Sequence, residues 1–181
     1  MDIKHGWQKI LKTTKFSDGA NIPNVIDVTS WGSLVTPAYC WYNNNIANKP
    51  IYGALYNWNT VNSGKLCPTG WNVPTDTQLT DMFAILGDAA LVGNKLKEIG
   101  NTHWVNPSIQ ATNSSGFTAL PGGFRNNNGT FYGIGSYGYW WSSAESGTIN
   151  AKAWLIQYNR SDAYVTACNK TYGYSVRCIK N

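Results

Sequence analysis

The sequence predicts a single α+β domain, and three observations carry that expectation. A chain of 181 residues, 43% hydrophobic, is long enough to bury one real core. Only 13% of residues are charged while 14% are aromatic, with 18 Gly and 9 Trp. A helical bundle would carry far more Ala, Glu, Lys and Leu, so the mix points to a loop-rich fold pinned by aromatics and excludes disorder. One strongly signalled helix near the middle is followed only by shorter segments, with no internal repeat or linker, so residues 1–181 form one unit.

In chain order, the first forty residues read as short extended pieces joined by turns. Asp18-Gly19 is a tight-turn dipeptide and Pro23 blocks a helix. Across residues 50–61, Tyr52, Leu55, Tyr56 and Trp58 have the spacing of a short helix, with Gly53 weighing against it. The strongest helix begins after Pro74, where Thr75 and Gln78 make a capping box. Leu79, Met82, Phe83 and Leu86 then share one face and Gly87 ends it. A second short helix is expected over 89–98, with Leu91, Leu96 and Ile99 inward and Gly100 as its stop. Strands are expected at 139–143, 153–158, 164–167 and 175–179.

The formal charge is +5. Lys4, Lys9, Lys12 and Lys15 crowd residues 1–15 against a single Asp2, so much of the excess is local and reads as a solvated basic segment. No basic stripe or nucleic-acid motif follows, and nucleic acid is not an expected partner. No window reaches the roughly 18 consecutive apolar residues of a membrane span, so no membrane insertion is expected. The N-terminal stretch lacks the charged, apolar, small-residue order of a secretory leader.

Cys40, Cys67, Cys168 and Cys178 have no metal-ligand spacing, with only His5 and His103 to assist them, so no metal centre is expected. Two readings of the cysteines stand: a Cys67–Cys178 disulfide, or four buried thiols in a reducing compartment. Cys168 is expected to be unpaired in either. A catalytic reading finds no triad around His5 or His103, and His103 reads as a turn or packing residue. The acids are too scattered for a carboxylate pair. The glycines of 133–138 have no strand-then-helix context and read as a turn, not a phosphate loop. No catalytic residue and no cofactor are therefore expected.

The last third of the chain is where function is legible. Anchors at 116–125, 138–143 and 174–178 alternate with runs of Asn, Tyr, Ser and Thr. Tyr gives large contact area at low entropic cost, and Asn and Ser give adaptable hydrogen bonds, which is the composition of a recognition surface. Anchors that point in force the residues between them outward. The expected ligand-binding set is Asn127, Tyr132, Tyr137, Tyr139, Asn159, Asp162, Tyr164, Asn169 and Tyr172, gathered on one face.

Several blocks carry a family resemblance: Gly53-Ala54-Leu55-Tyr56-Asn57-Trp58, Leu66-Cys67-Pro68-Thr69-Gly70-Trp71, Gly93-Asn94-Lys95-Leu96, Gly116-Phe117-Thr118-Ala119-Leu120-Pro121-Gly122-Gly123, Trp140-Trp141-Ser142-Ser143 and Ser175-Val176-Arg177-Cys178. Their order and spacing resemble the Fibrobacter succinogenes major paralogous domain over nearly the whole chain. The resemblance implies a variant of the C-type lectin fold, distantly similar to formylglycine-generating and sulfatase-modifying domains, with two helices, a small twisted antiparallel sheet and long binding loops. Trp71, Trp140 and Trp141 would then be scaffold.

Some members of that family are targets of diversity-generating retroelements, which rewrite adenine-rich codons. The residues between the anchors from about 120 to 178 match the products of such rewriting, and that region is the expected variable one. The implied function is recognition of a protein or glycan on a target cell surface, by a phage tail tip or a bacterial surface or secreted adhesin. The alternatives are a non-diversified polysaccharide-binding module and an enzyme of sulfatase-modifying type. The latter would need a reactive cysteine pair, for which Cys168 and Cys178 are the candidates. The Glu-Pro-Asn and Gln-Pro-Asp loops of calcium lectins are absent, so binding is expected to be calcium-independent.

Overall fold

The two ends of the chain lie side by side in the computed structural model, which describes residues 6–105 and 110–181. The N–H of Gln8 donates to the carbonyl of Cys178 at 2.9 Å and that of Leu11 to Val176 at 2.9 Å. Lys4 and His5 lie outside the described residues.

From the N-terminus the elements are α1 (Val28–Gly32), β1 (Tyr39–Cys40), α2 (Lys49–Tyr52), β2 (Leu55–Tyr56), α3 (Trp58–Asn62), β3 (Trp71–Asn72), α4 (Asp76–Leu86), α5 (Val92–Leu96), β4 (Gly122–Arg125), β5 (Phe131–Ile134), β6 (Tyr137–Glu145), β7 (Asn150–Gln157), β8 (Tyr164–Asn169) and β9 (Ile179–Lys180). The architecture is mixed α+β. A five-stranded sheet of order β5-β4-β6-β7-β8 dominates, and two small antiparallel pairs, β1-β2 and β3-β9, flank it. The main sheet is not wholly antiparallel, because β4 meets β6 in parallel through Gly123 and Gly138.

The Trp140-Trp141 pair shows how the core is divided. Successive side chains on a strand point to opposite faces, so the two rings enter different clusters. Trp140 stacks on Trp154 at 4.4 Å among Leu79, Met82, Leu96 and Phe117, under α4 and α5. Trp141 packs with Tyr56, Trp58, Ala153 and Tyr174 on the other side, and its indole N–H donates to the carbonyl of Tyr56 at 2.7 Å. Both sides of the sheet are thus covered. Trp71 differs from the other two scaffold tryptophans: it is half-buried and packs against the margin of the second cluster.

Helix α4 has the expected start and end. The Thr75 hydroxyl accepts from the Gln78 N–H, the Gln78 side chain accepts from the Thr75 N–H, and Gly87 closes the helix at φ 84°. Other expectations are corrected. The 50–61 segment breaks into α2, β2 and α3, because Gly53 at φ 69° turns the chain and its missing side chain admits the Leu11 carbonyl. The 89–98 segment is a 3₁₀ turn, Ala89–Leu91, followed by α5, which ends when Lys97 becomes extended at ψ 146° and bridges to Ala119.

Val92 and Leu96, four apart, face inward there, whereas Leu91 and Ile99 are 42% and 63% exposed. The two-helix expectation fails for the same reason: α4 is the only helix longer than five residues among the described residues. The expected 175–179 strand shortens to Ile179–Lys180, preceded by single bridges at Tyr174 and Ser175. Helix α1, capped by Asp27, and the β4-β5 hairpin are unannounced in the sequence reading.

Of the two readings of the cysteines, the structure has the disulfide. Cys67 and Cys178 are bonded across 111 residues, while Cys40 and Cys168 are buried free thiols. The bond closes the loop that contains the whole main sheet. Among the described residues, no helix is long and apolar enough to cross a membrane.

Two outcomes are expected. Replacing Cys67 by Ser should lower unfolding free energy by about 2–4 kcal/mol, the usual worth of a long-loop disulfide, read by denaturant titration with and without reductant. Trp141→Ala should cost about 3–5 kcal/mol, as large aromatic truncations in a core do; a thermal melt of that variant matching the parent would refute its scaffold role.

Candidate recognition face

Strand register gathers the tyrosines. On β6 the alternation that sends Trp141 inward places Tyr137 and Tyr139 on the same side of the sheet. Directly across on β7 stand Gln157 opposite Tyr137 and Leu155 opposite Tyr139, and on β8 Tyr164 stands opposite Leu155. On the other flank Phe124 of β4 faces Tyr132 of β5. These rings touch: Phe124 lies 5.8 Å from Tyr132 and 5.0 Å from Tyr139, and Tyr137 lies 6.2 Å from Tyr139.

The row is joined to the core from below. Tyr139 stacks on Tyr174 at 4.7 Å with 11° between planes, and Tyr174 lies 4.5 Å from Trp141. Tyr172 leans on both Tyr174 and Phe124, at 5.6 and 6.2 Å. Offset aromatic contacts of this kind each add about 0.5–1.5 kcal/mol beyond area burial. An open cleft of about 460 Å³ forms over the row, lined by Phe124, Asn126, Tyr132, Tyr137, Tyr139 and Gln157.

Among the described residues, no charged side chain lines that cleft. The Gln157 amide donates to the Tyr164 hydroxyl at 2.7 Å, which orients Gln157 and leaves its carbonyl oxygen for a ligand. Burial, with Tyr164 and Cys168 nearby, pushes the Tyr139 phenol well above its usual pKa, and burial also raises that of Tyr172. Both therefore remain neutral hydroxyls through the physiological range. Burial also raises the Cys168 thiol, so it is not a poised thiolate.

Of the nine expected site residues, the structure brings together Tyr132, Tyr137, Tyr139, Tyr164 and Tyr172. Tyr132 is the most open of them at 46% exposure, while Tyr139 and Tyr172 are half-buried. The other four sit at the ends of strands. Asn127 is exposed in the β4-β5 hairpin, with its carbonyl against Gly32. Asn159 is exposed in the β7-β8 turn.

Asp162 is held by Arg160 at 2.6 Å, and its own backbone packs where a side chain on Gly93 would stand. The Asn169 carboxamide accepts from the N–H and hydroxyl of Thr171 at 3.0 and 2.9 Å, shaping a turn. Asp162 and Asn169 are thus committed to local structure. Asn126 lies in a run between the anchors but outside the expected binding set, and Phe124 and Gln157 were missed by the sequence reading. Alternation from Ala153 through Leu155 to Gln157 would have found the last of them.

The residues considered for catalysis are otherwise engaged. His103 Nδ1 meets the Glu98 carboxylate at 2.9 Å and its ring packs edge-on against Tyr52 at 5.8 Å. Cys178 is bonded to Cys67, so Cys168 and Cys178 do not form a reactive pair. Of the glycines of 133–138, Gly135 lies in the turn that joins β5 to β6, while Gly133 and Gly138 lie in those strands. Among the described residues, no group of three or more His, Cys, Asp and Glu is placed to hold a metal ion.

The geometry predicts opposite stability effects within one cluster. Tyr132→Ala should change stability by no more than about 0.5 kcal/mol, as exposed substitutions do, whereas Tyr174→Ala should cost about 3–5 kcal/mol. Denaturant melts of the two variants separate the open rim of the face from its buried support.

Residues 8–180 match the Fibrobacter succinogenes major domain, and the chain belongs to that family. No curated protein and no solved structure matches it.

Proposed function

Given that membership, we propose that the chain is a ligand-recognition domain of C-type lectin-like fold whose binding surface is the tyrosine face of the main sheet. The observation that carries this reading is the open row Tyr132–Phe124–Tyr139–Tyr137, seated on Tyr174 and bounded by Asn126 and Gln157. Rigid aromatics that are ordered before binding lose little entropy when a ligand arrives. Interface energy concentrates in a few such anchors.

The setting we propose is a phage tail tip or a bacterial surface or secreted adhesin, with a protein or glycan of a target cell as partner. The Cys67–Cys178 bond supports an oxidising exterior over the cytosol. The Asn, Tyr and Ser content of strands and turns after residue 120 supports diversification of the face by a retroelement. A reverse-transcriptase gene beside a near-copy of the coding region for 120–178 tests that part, and its absence would refute it. A second reading, a non-diversified polysaccharide-binding module, is favoured by the lack of any charged side chain in the cleft lining. Neutral hydroxyl-rich chains suit such a surface.

Binding should not require metal, and it should depend on the rings. In a titration against a host-surface or glycan preparation, Tyr137→Ala should weaken affinity by about 2 kcal/mol, roughly thirtyfold. Asn159→Ala should have little effect, and a chelator should change nothing. Abolition by chelation, or indifference to the combined loss of Tyr137, Tyr139, Tyr164 and Tyr172, would move the site elsewhere.

A further inference from the structure

A second cleft, of about 650 Å³, shares no residue with the tyrosine face and is lined by the N-terminal segment, Pro50-Ile51 and the 116–120 stretch. We propose that it binds a short acidic peptide of a partner protein, with carboxylates held by Lys9, Lys12 and Arg177 and apolar side chains laid against Trp7, Pro50 and Phe117.

Charge is the first ground. Among the described residues the lining holds three cations and no carboxylate. Lys9 and Lys12 are exposed, while Arg177 is only 8% exposed. The guanidinium of Arg177 donates to the carbonyls of Phe117 at 2.6 Å and Thr118 at 2.9 Å and lies 3.9 Å over the Phe117 ring. Its Nε, itself buried, has no acceptor among the described residues. The contrast with Arg125 is instructive: that guanidinium is fully buried too, yet all three of its nitrogens reach carbonyls.

Burial pushes the Arg177 pKa down to about 9, and among the described residues no carboxylate pairs with its guanidinium. An anion in the cleft would supply a countercharge, and the two flexible lysines at the mouth would reach its outer oxygens.

Shape and polarity decide between a peptide and an acidic sugar polymer. About half of the lining is apolar, including Trp7, Ile10, Pro50, Phe117 and Leu120. That surface would strip water from sugar hydroxyls without replacing their hydrogen bonds, whereas it suits the apolar side chains beside an Asp or Glu. Gln8, Thr118 and His103 are the polar remainder. With His103 Nδ1 engaged by Glu98, its Nε2 is left for a peptide amide. A volume of this size, in which apolar side chains stand beside placed polar groups, falls in the range of small-ligand sites.

The test pans a displayed library of random heptapeptides against the full chain, then measures the recovered peptides by fluorescence anisotropy. Recovered sequences should pair Asp or Glu with apolar residues. Their affinity should fall at least tenfold in a K9E/K12E variant and weaken with added salt, while Tyr137→Ser leaves it unchanged. That last arm separates this site from the tyrosine face, so either can fail alone.

Because Arg177 holds two carbonyls and its replacement could unfold the 116–118 turn, the exposed lysine pair carries the test, with a thermal melt as the folding control. Recovery of no peptide, recovery of peptides without acids, or affinity indifferent to K9E/K12E overturns the proposal. Equal competition by polygalacturonate would reassign the cleft to an acidic glycan.

Discussion

Tyr174 is the residue through which the parts of this fold reach one another. Its backbone exchanges hydrogen bonds with Tyr56, at 2.8 and 3.0 Å, joining the C-terminal stretch to β2 from the first third of the chain. Its ring meets Trp141 in the core and Tyr139, Tyr172 and Phe124 in the face. Neighbouring bonds extend the seam: Ser175 receives from Trp141 and donates to Tyr139, and Gly173 pairs with Arg125. One extended stretch therefore fixes the spacing between the sheet, the N-terminal third and the aromatic row. Its position is fixed in turn by the disulfide at Cys178.

The recognition face is consequently the outer end of a column that begins in the core. Order in its rings comes from Tyr174 and Trp141 below Tyr139, together with the contacts that Phe124 and Tyr139 make with Tyr132 and Tyr137. Exposed residues such as Tyr132 and Asn127 can change without touching that column, which is the physical condition for a surface that varies on a constant scaffold. Tyr139 marks the boundary. It belongs to both the row and the column, so a change there alters packing as well as recognition.

Local chemistry made part of this legible from sequence. The Thr75-Gln78 capping box and Gly87 specify α4 by themselves, since each acts within one turn. Period-two alternation in 137–145 and 150–157 specifies the two central strands and, with them, the shared side of Tyr137 and Tyr139. What failed was decided at a distance. Gly53 breaks a helical spacing because the Leu11 carbonyl needs its space, and Lys97 leaves helical geometry to pair with Ala119. Neither partner is near in sequence. The same holds for Asp162 and Asn169, whose residue types read as surface contacts while their side chains shape turns. Alternation would have revealed Gln157, but Phe124 could be placed only through its register with Tyr132.

The basic charge of the chain acquires a structural meaning from the same accounting. A loop-rich fold leaves many backbone carbonyls without a ladder partner, and buried carbonyls must be satisfied. Here buried cations do so. Arg125, held between the rings of Trp31 and Phe131 at 4.4 and 4.8 Å, ties Val25, Ile26 and Asp27 to Gly129. Lys97 binds the carbonyls of Arg160 and Tyr158, and Arg177 those of Phe117 and Thr118. Each replaces a stretch of regular structure with one side chain that clamps two loops together. Desolvation opposes this arrangement, and it lowers the Lys97 pKa to about 8. These three cations are spent on loop carbonyls. Arg125 completes its set of acceptors, whereas Arg177 leaves its buried Nε without one among the described residues.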